Sequence, residues 1–323
     1  MRKRLLTALV PGFVPAIVGL LITAPLSLLY GQGSPGGVRF IEGGQPPVVI
    51  HSTVEDMARA HGARPGGGHS SNLSYHGGPI QTAPKIYLVL WGSQWNGNDP
   101  SGESAILQSF YKGVGGSSWL SSVDQYCQGV GSGTIFCNGG GTGLAQSTNA
   151  AFGGLFADNG SAAPSQPTQS QLAAEAANAS VHFNDNSANA QFVIATATGN
   201  NSSGFGTQYC AYHSSTSSNG KTIAWTNLPY ITDAGASCGA GFNGLGPNAG
   251  ITIVGGHEMG ETITDPFPSS GWLDSRGAEN GDKCAWIQSG QGATAFTTLS
   301  TGTFAVQSLW SNLFNNGSGG CVP

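Results

Sequence analysis

His257, Glu258 and Glu261 stand in the order His-Glu-Met-Gly-Glu, and six of the 16 acidic residues fall between Glu258 and Asp282. Positions i and i+4 share a helix face. On a helix, His257 and Glu261 therefore point the same way at ligand spacing. Glu258 sits about 100° round from His257 and can reach a water held by a metal. His-Glu-x-x-His supplies this geometry in zinc peptidases, and here Glu replaces the second His. Zinc accepts carboxylate oxygen as well as imidazole nitrogen. Unpaired carboxylates are costly to bury, and the basic residues beside this cluster are Arg276 and Lys283 alone. A bound cation is the direct solution.

A catalytic zinc site keeps three protein ligands and one open position. Glu279, 18 residues beyond Glu261, is the preferred third ligand, brought back by the following loop. Asp282, Asp265 and His213 are the alternatives. Asp265 precedes Pro266, and the residue before proline avoids the helical region. The helix is expected to end there, with Asp265 as a turn residue. His213 reads first as a structural histidine. In this reading His257, Glu261 and Glu279 hold Zn²⁺, and Glu258 is the general base. Ca²⁺ is the alternative ion; it draws on more oxygens and does not need His257.

The elements that must position these residues follow from pattern. The run 85–91 reads as a buried strand. Ser101 can cap a helix with Ile106, Leu107, Phe110 and Tyr111 on one face. A second helix is expected to carry Trp119, Leu120, Val123 and Tyr126. Thr168 and Gln171 form a capping box for a helix over 172–180. Strands are expected at 191–196 and 221–225. A glycine-rich stretch, 234–250, leads into an apolar helix over 251–264, where Gly255 and Gly256 allow close approach of a neighbour. Strands and helices alternate, so the fold expected is α/β, with α+β as the alternative, in three layers around one core.

Composition sets the outer limits. Charged residues make up 8% of 323, against about 25% in an ordinary soluble domain. Glycine, at 52 residues, has about twice its usual share, yet hydrophobic residues still make up 39%, enough for a core. Arg2, Lys3 and Arg4 precede an apolar run, so 1–31 reads as a signal peptide or an N-terminal anchor. Without those three residues the balance is 8 − 16 = −8, which argues against a nucleic-acid partner. A membrane would be met only through that anchor. Residues 32–76, with His51, His61, His69 and His76 too widely spaced for a metal tract, read as a flexible leader or propeptide. The body is 77–323. Its six cysteines imply disulfides in an exported chain. Sequential pairing is the simplest: Cys127–Cys137, Cys210–Cys238 and Cys284–Cys321.

The segments His257-Glu258-x-x-Glu261 to Asp265-Pro266, Gly271-Trp272, and Glu279-x-Gly281-Asp282-Lys283-Cys284-Ala285-Trp286 resemble a group of secreted bacterial proteins. Leu90-Trp91-Gly92, Cys210 to His213 and Trp310-Ser311-Asn312 match as well. The resemblance covers about 77–323 and extends to the plant phosphate-induced, or Exordium, family of cell-wall-space proteins. The plant pattern lacks His-Glu-x-x-Glu and has Asn where Asp265 stands. The resemblance implies an extracellular, zincin-like domain more than it implies an activity. The expected function is a secreted zinc peptidase acting on polypeptides. The rival is a non-catalytic protein associated with wall polysaccharide, holding a structural ion or none.

Overall fold

Residues 85–91 form a strand whose Ile86, Leu88 and Leu90 face one apolar layer, while Tyr87 and Val89 face another. The computed structural model describes residues 36–62 and 71–323; the expected signal peptide or anchor at 1–31 lies outside them. Seven strands make the main sheet: β1 (Gly37–Arg39), β2 (Val48–His51), β3 (Lys85–Trp91), β4 (Ala151–Asp158), β5 (Ala190–Thr196), β6 (Ala211–Ser218) and β7 (Lys221–Leu228). Their order is β1-β2-β6-β7-β5-β3-β4. The block β7-β5-β3-β4 is parallel, and β6, β2 and β1 continue it antiparallel. The parallel strands are apolar on both faces because helices cover both.

Four helices matter here: α1 (Val54–Gly62), α2 (Glu103–Gly113), α3 (Gln169–His182) and α4 (Ala249–Thr264). On one face, α3 lays Leu172, Ala173, Ala176 and Ala179 against Phe192, Ile194 and Trp225. On the other, α2 and α4 pack together over Leu88, Val193 and Ala195. The mixed α/β class and the three layers are as expected. The capping box at Thr168 and Gln171 is formed. Ser101 does not cap α2; the Asp99 carboxylate accepts from the N–H groups of Glu103 and Ser104 instead. The expected helix around Trp119 is a 3-10 segment, Leu120–Gln125, with Trp119, Leu120, Val123 and Tyr126 all buried.

Every residue of α4 is buried. Ile251, Ile253, Val254, Met259 and Ile263 set it in the core, its polar His257, Glu258 and Glu261 are buried with them, and its glycines make room. A Cβ on Gly256 would lie 3.1 Å from both Phe110 Cζ and Trp119 Cη2. At Gly255, the Tyr111 hydroxyl donates to the backbone carbonyl at 3.3 Å.

Residues 32–76 are not simply a leader. They supply β1, β2 and α1, and Ser74–Tyr75 pairs with Trp272–Leu273. β2 pairs with β6, placing Val49 opposite His213 and His51 opposite Ala211. Alternation puts His51, Val49 and His213 on the face covered by α4. The short run Val48-Val49-Ile50 is held between β1 on one side and β6, far away in sequence, on the other. The three disulfides are Cys127–Cys137, Cys210–Cys238 and Cys284–Cys321. Such bonds belong to an oxidising compartment. Among the described residues, no helix is long and apolar enough to cross a membrane.

Two outcomes follow. Gly256→Val should cost about 2 kcal/mol in denaturant unfolding by overpacking α2 against α4, while Gly160→Ala, in open space, should be neutral. Glu175, on α3, is held up at about 7 by burial and by Asp158. Its folded form keeps its proton where the unfolded form has lost it. Stability from this group is therefore full below about pH 4.5 and fades as pH rises to about 7. Glu175→Gln should raise stability at pH 8 by about 1 kcal/mol, allowing for solvent screening, and leave it unchanged at pH 4.

Candidate metal centre

The helix α4 carries His257, Glu258 and Glu261, and ends at Asp265 as the following proline dictates. The loop 279–284 then folds back across it. Asn280 Nδ2 donates to Gly260 O at 3.0 Å and to Thr264 Oγ1 at 2.9 Å. The Asp282 N–H donates to Glu261 Oε1 at 2.8 Å. The Cys284–Cys321 disulfide and the Lys283–Asp274 ion pair fix the far side of this loop. The approach is so close that a Cβ on Gly281 would lie 2.8 Å from His257 Nδ1 and 2.9 Å from Glu261 Oε1.

Three ligand groups result, each with its candidate atoms within 4.8 Å of one another: His257, Glu261 and Asp282; His213, Glu261 and Glu279; His51, His257 and Glu258. The expected pair His257 and Glu261 is together. Asp282 rather than Glu279 joins it, and Glu279 joins His213. Asp265 is set apart, because its carboxylate accepts from Ser269 N, Ser270 N, Ser270 Oγ and Gly271 N. That is the turn role expected of it. His51 was hidden in the supposed leader. Its ring stacks on His257, with centroids 3.8 Å apart, and on Trp286 at 4.9 Å.

Tautomers decide what the imidazoles offer. Gln307 donates through Nε2 to Gly281 O at 2.8 Å, so its Oε1 faces His257 Nδ1 at 3.1 Å. An amide oxygen only accepts, so Nδ1 carries the proton. Burial lowers His257 to about 4, so the ring is neutral at pH 7. Its unprotonated Nε2 then lies 3.0 Å from Glu261 Oε1 and 4.0 Å from Asp282 Oδ1. His213 repeats the pattern. Its Nε2 donates to Asp265 O at 3.2 Å, and Nδ1 lies 3.2 Å from Glu258 Oε2 and 3.7 Å from Glu261 Oε2. Burial, then the His257 charge, lowers His213 to about 3.

The carboxyls shift the other way. Burial and then the neighbouring carboxylates push Glu258 and Glu279 well above the usual range. Burial pushes Glu261 up, and burial and then Glu261 push Asp282 up. Arg39 on β1 attracts Asp282, but it is the weakest of the influences there. Lys283 is engaged with Asp274 at 3.1 Å. Among the described residues, His257 Nε2, Glu258 Oε1, Glu261 Oε2, both oxygens of Glu279 and Asp282 Oδ1 have no hydrogen-bond partner. Buried acceptors left unmatched cost about 1–3 kcal/mol each. A cation satisfies them together, so these buried His, Glu and Asp groups can hold a metal ion.

No protein-family model matches the chain, and no curated protein or solved structure matches it.

Gly281→Ala should weaken zinc binding at least tenfold in competition with a chromophoric chelator, since its Cβ would displace two ligand side chains. Gly160→Ala, with open space at that position, should bind as the wild type does.

Proposed function

We propose that this protein is an exported zinc-dependent hydrolase acting on polypeptides. The observation that carries the reading is the unprotonated His257 Nε2 lying 3.0 Å from Glu261 Oε1 without hydrogen-bond geometry, with Asp282 Oδ1 4.0 Å from the same nitrogen. A buried nitrogen acceptor crowded by carboxylate oxygens calls for a proton or a cation among them, and Glu261 Oε1 already accepts from Asp282 N. Imidazole nitrogen among carboxylates suits zinc, whereas calcium takes oxygens and waters. His257, Glu261 and Asp282 would hold it. Bound there, zinc would supply Lewis-acid polarisation of a carbonyl and a water acidic enough to ionise near neutrality.

The side chains supply the rest. Glu258 is buried, its Oε1 is without a partner, and its raised proton affinity suits it to accept a proton from water and return it to a leaving amine. Gln307 fixes the His257 tautomer, as the outer partner of a ligating histidine does. A carboxylate where zinc peptidases have a second histidine adds negative charge, which favours slow turnover. The basic and apolar start of the sequence and the three disulfides support export. The resemblance read in the sequence over 77–323 would imply an extracellular setting too.

A second reading has its own support. His257 and Glu261 are fully shielded from solvent, and His51 is stacked over His257. A polypeptide carbonyl would reach these buried groups only if the described residues around them opened. That favours a structural ion in a non-catalytic protein associated with wall polysaccharide.

Incubating the purified, disulfide-bonded chain with a peptide library separates the two. Hydrolysis that disappears in Glu258→Gln, by a factor of about 10² or more, while zinc content stays unchanged by elemental mass spectrometry, is the outcome expected of the enzyme. Zinc lost in His257→Ala with no peptide cleaved by the wild type would establish the structural ion instead.

A further inference from the structure

The cluster holds more acceptors than one ion can use. Glu261 presents its two oxygens to two different imidazoles. Oε1 lies 3.0 Å from His257 Nε2, and Oε2 lies 3.7 Å from His213 Nδ1. Oε2 has no hydrogen-bond partner, although Glu261 is fully buried. On the His257 side the third group is Asp282, whose Oδ1 is also unpartnered. On the His213 side it is Glu279, with neither oxygen hydrogen-bonded. His213 Nε2 is 3.7 Å from Glu279 Oε1.

We infer that this centre binds two divalent cations, one at His257 and Asp282 and the other at His213 and Glu279, with the Glu261 carboxylate bridging them. The inference rests on the cation reading above and adds a second ion and a ligand, His213, to it. Charge supports the count. Glu258, Glu261, Glu279 and Asp282 carry four negative charges when ionised, and all four are buried. Two divalent cations match four charges; one leaves two uncompensated in a low-dielectric interior, where that is expensive. Asp265 is a fifth buried carboxyl whose charge also bears on Glu279 and Glu261; it is kept out of the count of ligands because four donors from the loop that follows hold it. The arrangement also fits known spacing: two-metal hydrolytic sites hold their ions about 3.5–4 Å apart, the reach of a carboxylate with one ion on each oxygen. His213 sits on β6 and His257 on α4, so the sheet and the helix over it each contribute one nitrogen. An ion pair of this kind fastens the layers together where the glycine-rich loops could not.

The full disulfide-bonded chain, dialysed against zinc and then against metal-free buffer, decides it by elemental mass spectrometry. Two zinc ions per chain are expected, falling to one in His213→Ala. Wild-type protein loaded with cobalt(II) provides a readout that needs no variant: a bridged pair gives a spin-coupled, attenuated electron paramagnetic resonance signal. One zinc per chain would overturn the pair and leave the single-ion reading standing. Two ions with uncoupled cobalt signals would overturn the bridge. No bound metal would overturn both this inference and the reading beneath it.

Discussion

Two buried imidazoles, crowded against opposite oxygens of one buried carboxylate, set the terms for the rest of this molecule: His257 Nε2 is 3.0 Å from Glu261 Oε1 and His213 Nδ1 is 3.7 Å from Glu261 Oε2. Glu261 lies between His257 and His213, all three fully buried. Neither ring can take up a proton easily, because burial lowers both. The carboxyls hold their protons more tightly for the same reason. The cluster is thus a set of buried acceptors with few donors among the described residues, which a cation could satisfy.

The scaffold is arranged to hold that unfavourable constellation in place. The sheet brings β6, and with it His213, beneath α4. Glycines on α4 let Phe110 and Trp119 press against its back, so the helix cannot rotate its histidine away. The loop after it is fastened by Asn280 to two groups on the helix and by Gln307 to Gly281. The Cys284–Cys321 bond closes the same loop covalently. Each device limits freedom near the carboxylates, where relaxation would otherwise relieve the repulsion.

Much of this was legible in the residues. The strand at 85–91 and the helix ending before Pro266 follow from apolar runs and from proline sterics, which are local. The sequential disulfides follow from loop closure, also nearly local. What remained hidden is what depends on distant pairing. Val48-Val49-Ile50-His51 is too short a run to declare itself a strand, and it becomes one by pairing with β6. His51 was therefore placed in a leader rather than against His257. The choice between Glu279 and Asp282 turns on the path of the loop 279–284 with Gly281 at its closest approach, and spacing alone carries no such information. The segment at 120–125 has helical periodicity, yet packing against Gln307 and the 309–311 strand draws it into a 3-10 turn.

The groups that gather at Glu261 come from positions 51, 213, 257, 282 and 307. Loop-closure entropy must be met before such remote partners gain anything from each other. His257, Glu258 and Glu261 already share a partly formed α4, whereas the groups at 51, 213, 282 and 307 join them only through tertiary pairing. A cation that needs those remote groups would be held fully only by the folded chain, so its binding would report on folding as well as on the site.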